Sequence, residues 1–142
     1  MKQLNEREYI PANIYRVCLD QVDEILFQGN IYTLVSEKVI HFCNFQNFLI
    51  QLDQFMDEKG TPQSFQMKRS LVNNQVSIPV YTEVPHAIRT LEDIADKQGL
   101  HATYNICINS RRHTNWQGIV FDDERYIGEF SDIVELIKLL SL

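Results

Sequence analysis

Two heptapeptides, Leu26-Phe27-Gln28-Gly29-Asn30-Ile31-Tyr32 and Asn115-Trp116-Gln117-Gly118-Ile119-Val120-Phe121, carry the same aromatic-Gln-Gly core and the same apolar tail. Self-similarity at a fixed spacing constrains a whole fold, because each copy is one supersecondary unit that must bury the same face. Tyr15 and Tyr104, Cys18 and Cys107, Gln28 and Gln117, and Gly29 and Gly118 are each 89 positions apart. At that offset Val17 meets Ile106, Leu19 meets Ile108, Phe27 meets Trp116, Ile31 meets Val120 and Tyr32 meets Phe121. Beyond the next hairpin the match resumes at an offset of 85, with Phe45 against Phe130 and Asn47 against Asp132. Length changes are cheapest in such a loop.

The periodicity supplies the elements. Tyr15, Val17 and Leu19 alternate with Arg16, Cys18 and Asp20, the two-residue period of a half-buried strand. Residues Ile25 to Val35 and Val39 to Cys43 read as two further strands, joined by a turn at Ser36-Glu37-Lys38. The period then becomes helical. Phe45, Phe48, Leu49, Leu52, Phe55 and Met56 line one helix face, Asn47 suits the N-cap, and Gly60 with Pro62 ends the run. Tyr104 to Asn109, the Trp116 strand, Arg125 to Glu129 and a helix packing Ile133, Val134, Ile137 and Leu140 inwards repeat the order. Asp132 and Glu135 have the spacing of a capping box.

The expected fold is therefore α+β: a β-β-β-α unit present twice, forming an antiparallel sheet with two main helices on one side. Residues 1–142 make a single domain, with repeats at about 13–59 and 102–142 joined by a connector over 60–101. Within the connector, Ser64 to Val72 and Val76 to Val80 alternate as strands. Thr90-Leu91-Glu92-Asp93 opens a short helix running to Lys97. Residues 1–12 form a polar lead-in.

Composition narrows the function. A formal charge of −6 disfavours a general nucleic-acid binder, since phosphate neutralisation needs a basic surface. No apolar run approaches the roughly 20 residues that span a bilayer. The N-terminus lacks the apolar centre of a signal peptide, so a cytoplasmic location and no membrane partner are expected. Three cysteines fit reduced thiols better than a disulfide scaffold.

Arg111-Arg112-His113-Thr114-Asn115-Trp116-Gln117-Gly118, followed by Phe130-Ser131-Asp132-Ile133-Val134-Glu135-Leu136-Ile137, resembles a family of small uncharacterised bacterial proteins. Members carry a basic residue, a few polar residues and Trp-Gln-Gly, and end in a Phe-x-Ser-x-x-Glu-Leu-Ile-like helix. This chain has Asp132 at the usual serine position and His113 where asparagine is commoner. The resemblance covers the C-terminal third clearly and the first half loosely. It implies a bacterial protein and no particular activity, so it adds no catalytic residue.

Candidate chemistry is sparse. Arg111, Arg112, His113 and Trp116 form the candidate binding group: an aromatic platform flanked by cations, able to stack a base or a peptide side chain. The competing reading makes Trp116 a core aromatic, as Phe27 occupies the matching place without a basic cluster. Gln28, Gly29, Gln117 and Gly118 read as structural: the glycines permit close backbone approach or a bulge, and the glutamine amides tie down loops. Cys18 and Cys107 are either a redox pair across a pseudo-two-fold axis or small half-buried strand residues. His41 and Cys43 share a strand face, but two ligands do not make a zinc site. Asp53 and Asp57 read as a solvated i,i+4 acidic pair. No P-loop, dinucleotide, Gly-x-Ser-x-Gly or His-Glu-x-x-His pattern is present, and no cofactor or metal is implied.

The leading expectation is a non-catalytic interaction or regulatory module with a protein partner, monomeric or homodimeric. Local binding of single-stranded nucleic acid through Arg111, Arg112, His113 and Trp116 is the first alternative. A small-molecule or thiol enzyme at the cleft between repeats is the second.

Overall fold

The computed structural model describes residues 4–5, 8–59, 85–112 and 115–140, with the backbone alone for Arg112. The expected strands at Ser64 to Val72 and Val76 to Val80 lie outside these residues. Eight main elements follow in order: β1 (Ile14–Val22), β2 (Phe27–Thr33), β3 (Ile40–Phe42), α1 (Phe45–Lys59), β4 (Ala102–Arg112), β5 (Asn115–Asp122), β6 (Arg125–Phe130) and α2 (Ile133–Leu140). The strands form one antiparallel sheet in the order β3-β2-β1-β4-β5-β6. The α+β class read from the sequence is the class of the molecule.

Alternation decides the faces. Tyr15, Val17 and Leu19 of β1 and Tyr104, Ile106 and Ile108 of β4 share a core with Phe48, Leu52 and Met56 of α1 and Leu136 and Leu140 of α2. Both helices therefore cover the same face of the sheet, but α2 buries Leu136 with Leu140 and leaves Val134 and Ile137, expected inward, exposed. The helix is turned so that Leu136 and Leu140, one turn apart, meet the core. In the first half Phe27, Phe42, Phe45 and Phe48 meet at ring-centroid distances of 5.0 to 5.5 Å, mostly edge to face. That geometry suits aromatic quadrupoles and adds about 0.5–1.5 kcal/mol per pair beyond burial.

On the opposite face lies the described part of the connector, residues 85–101. Ile94 packs with Ile14, Leu34 and Cys107. Arg89 donates from Nε to the Thr33 carbonyl (2.8 Å) and from Nη2 to that of Ser36 (2.9 Å). The capping box at Thr90 forms: Asp93 accepts from the Thr90 N–H, and Thr90 Oγ1 accepts from the Asp93 N–H. The helix expected to run to Lys97 contracts to a single 3-10 turn, Glu92–Ile94, because the chain next turns to give its carbonyls to the sheet. The last residues of the lead-in are also fastened: Tyr9 meets Phe121 edge-on, and Ala12 is buried together with the following Asn13.

Register relates the halves. Gly29 faces Leu19 and Gly118 faces Ile108, and each neighbouring ladder shifts at the same place, between Leu19 and Gln21 and between Ile108 and Ser110. At the centre Tyr15 faces Ile106 and Val17 faces Tyr104, so the 89-residue offset maps this ladder onto itself about the Arg16–Asn105 pair. After the hairpin the register corrects the sequence reading. Phe42, not Phe45, is the counterpart of Phe130, since each stands opposite the glycine. The offset there is 88 rather than 85. The N-cap moves with it: Asn44 Oδ1 accepts from the Asn47 N–H at 2.7 Å, as Asp132 Oδ1 accepts from the Glu135 N–H at 2.8 Å. Asn47 is the third helical residue and instead accepts from the Cys43 N–H. Phenylalanine stands at both 42 and 45, and the apolar pattern alone does not distinguish them.

Candidate binding site

Of the four residues singled out in the sequence, the two whose side chains the structure describes, Arg111 and Trp116, form no open platform. Arg111, at the far end of β4, is 6% exposed. Its Nη1 donates to Asp57 Oδ1 at 2.6 Å and Asp53 Oδ1 at 3.0 Å. The two aspartates read as a solvated pair are the acceptors, one helical turn apart on α1, that hold this guanidinium. Trp116 is 2% exposed and belongs to the helix-side core. A stacked base needs an open ring face, which Trp116 lacks. Burial follows from strand alternation, since Trp116, Gly118 and Val120 share the inward face of β5. The Arg112 side chain and His113 lie outside the described residues.

Phe27 is buried on the matching face of β2. Gln117 accepts from Ser110 Oγ at 3.2 Å, and Gln28 faces Gln21 across the ladder. The glycines have a steric reason. A Cβ on Gly29 would lie 1.9 Å from the Cys18 carbonyl oxygen, and one on Gly118 would lie 2.0 Å from that of Cys107. The bulges opposite bring these carbonyls in, with Asp20 and Asn109 as the extra residues.

The thiols are kept apart and protonated. Cys18 faces Thr103 while Cys107 faces Ile14, four ladder rows away, or about 13 Å. A disulfide needs Cα atoms within about 7 Å, so the two cannot join without moving the backbone. All three cysteines are free. Burial pushes the Cys107 thiol up to about 12. Burial likewise raises Cys18, against the opposing pull of Arg16, to about 11. A thiolate is the nucleophilic form, and both sites disfavour it. His41 Nδ1 is hydrogen-bonded to Asn30 Oδ1, and Cys43 is exposed beside Asn47. Among the described residues no three potential ligands gather for a metal.

A concave site lies elsewhere. On the connector face, where β1 meets β4, a pocket of about 400 Å³ opens between the halves. Its floor is Arg16 and Asn105, the central ladder pair, each 2% exposed. Leu4, Leu91 and Ala95 supply apolar wall. Glu92, Asp123 and Glu124 stand at the exposed rim. Arg16 builds this floor. Its Nε donates to the Lys97 carbonyl (2.8 Å), its Nη2 to that of Ala95 (3.3 Å), and its Nη1 to Asn105 Oδ1 (3.3 Å) and Asp123 Oδ1 (3.2 Å). Asn105 Nδ2 then donates to the Asp123 carbonyl at 2.7 Å. Asp123 adopts φ 56° in the two-residue β5–β6 turn, a left-handed conformation that aspartate tolerates better than most residues. One buried guanidinium thus joins both halves and the connector.

Sequence reasoning assigned Arg16 only to the more polar strand face. The signal that marks it is the 89-residue offset, which sets it against Asn105 at the centre of the β1–β4 ladder.

No family model, curated protein or solved structure matches the chain. No described helix is long and apolar enough to cross a membrane.

Proposed function

We propose that the protein is a non-catalytic interaction module that holds another macromolecule at the pocket on the seam between its halves. The observation that carries this reading is the buried Arg16–Asn105 floor beneath an open cavity where three chain segments converge. A cavity of about 400 Å³ is within the range of ligand pockets, and it also admits a free small molecule. The thiol-enzyme alternative loses support from Cys18 and Cys107, whose burial favours the protonated form. The nucleic-acid alternative loses support from the enclosed Trp116 and the paired Arg111.

The test is affinity capture from the native cell with the natural chain and with Ala95→Trp, which fills the pocket from an exposed position. A partner captured by the first and lost with the second is the expected result. A specific turnover abolished by one Cys or His substitution would overturn the reading.

A further inference from the structure

The pocket's chemistry selects among ligands. Arg16 is its one described cation, and four of the five guanidinium N–H groups are matched by the four bonds to Lys97, Ala95, Asn105 and Asp123. Its charge is already shared with Asp123 at 3.2 Å. Glu92 and Glu124 remain at the rim, and among the described residues the cations on the segments that carry them are engaged elsewhere: Lys97 with Asp96 at 3.6 Å, Arg125 with Asp122 at 3.2 Å. Among the described lining residues an anion entering here would meet three carboxylates for one occupied guanidinium. A cation would meet two uncommitted carboxylates, with Leu91 and Ala95 alongside to cover an aliphatic stem. Amphipathic cations bind in that way, stem against apolar wall and charged head at a polar rim.

Resting on the seam pocket as the binding site, we infer that it takes an alkyl ammonium or alkyl guanidinium group. That chemistry is common to a lysine or arginine side chain of a protein partner and to a free diamine. The buried polar floor gives the group a fixed base, and the chain's net charge of −6 favours the approach of a cation.

The test titrates the full chain with agmatine, with cadaverine, with a blocked Gly-Lys-Gly peptide and with inorganic phosphate, following the Asn105 side-chain amide by NMR. The same titrations are run on Glu92→Gln/Glu124→Gln and on Ala95→Leu, all at exposed positions that leave the core intact. The expected result is saturable binding of amines, weakened at least tenfold by the double glutamine variant and by Ala95→Leu, and weakened by added salt. Tighter binding of the peptide points to a partner's side chain, and tighter binding of agmatine or cadaverine to a free amine. Amine binding that the double glutamine variant leaves unchanged overturns the inference. Phosphate binding that only Ala95→Leu removes overturns the inference while sparing the pocket. No movement of Asn105 with any probe removes both.

Discussion

The two halves use one register for different ends. Each has a glycine opposite a bulge, an aromatic before it, a phenylalanine facing it and a capped helix after it. They part at the helices: α1 runs 15 residues and α2 only 8. The extra length carries Asp53 and Asp57 over the far end of β4, where they hold Arg111. The position matching Arg111 in the first half is Val22, which packs against the core and needs no such clamp. Shared register thus fixes the sheet, and helix length decides which half reaches across to the other.

The glycines test that shared register most severely. Gly29→Ala and Gly118→Ala each drive a methyl into a bulge carbonyl, at 1.9 and 2.0 Å, and Gly118→Ala also meets Phe130 at 2.8 Å. Each is expected to cost at least about 3 kcal/mol in urea unfolding, among the large single-site effects. Gly118→Ala should be the worse. A loss below about 1 kcal/mol for one of them alone would break the equivalence of the two bulges.

The clamp comes next. Arg111→Ala removes a buried cation from two half-exposed carboxylates, and a cost of about 2 kcal/mol is expected once solvent screening of the aspartates is allowed for. Val22→Ala at the matching place loses only partly buried packing, about 1 kcal/mol. Equal costs, read from the same unfolding curves, would mean that the clamp adds nothing to the asymmetry.

How far the sequence reached can be judged from such residues. Alternation placed Tyr15, Val17 and Leu19 on one face, because a strand's period depends only on its neighbours. The 89-residue offset located both glycines for the same reason. Arg111 was read as an open cation because its acceptors are 54 and 58 residues away on a helix whose reach is set by tertiary packing. The Arg16 floor needs contacts across 79 to 107 residues, beyond any local pattern. The slip from 88 to 85 arose because hydrophobic pattern alone does not say which of two nearby phenylalanines faces the glycine.

Capping gives a smaller comparison. Asn44→Ala and Asp132→Ala should each cost about 1 kcal/mol, the usual value for a lost N-cap, whereas a cap at Asn47 would leave Asn44→Ala nearly silent. Thermal unfolding of the two variants decides it.

The thiols add a comparison by pH. Alkylation at neutral pH should modify Cys43 quickly, and Cys18 and Cys107 only as the chain unfolds. Both buried thiols titrate above the ordinary value of 9, near 11 and 12. Between those limits the unfolded chain has lost protons that the folded one keeps, so stability falls as pH rises past about 9. Denaturation midpoints from pH 8 upwards should decline, and less so in Cys107→Ala. A flat profile would place both thiols in open surroundings.

The central ladder has a kinetic consequence as well. Arg16 and Asn105 are 89 residues apart, whereas Asp122 and Arg125 across the last hairpin are separated by 3. Closing the longer loop costs about 3 kcal/mol more in chain entropy. Each hairpin is expected to zip on its own, with the seam between β1 and β4 closing last. The pocket is then absent until the final step of folding, so a ligand bound there rewards only chains that have finished.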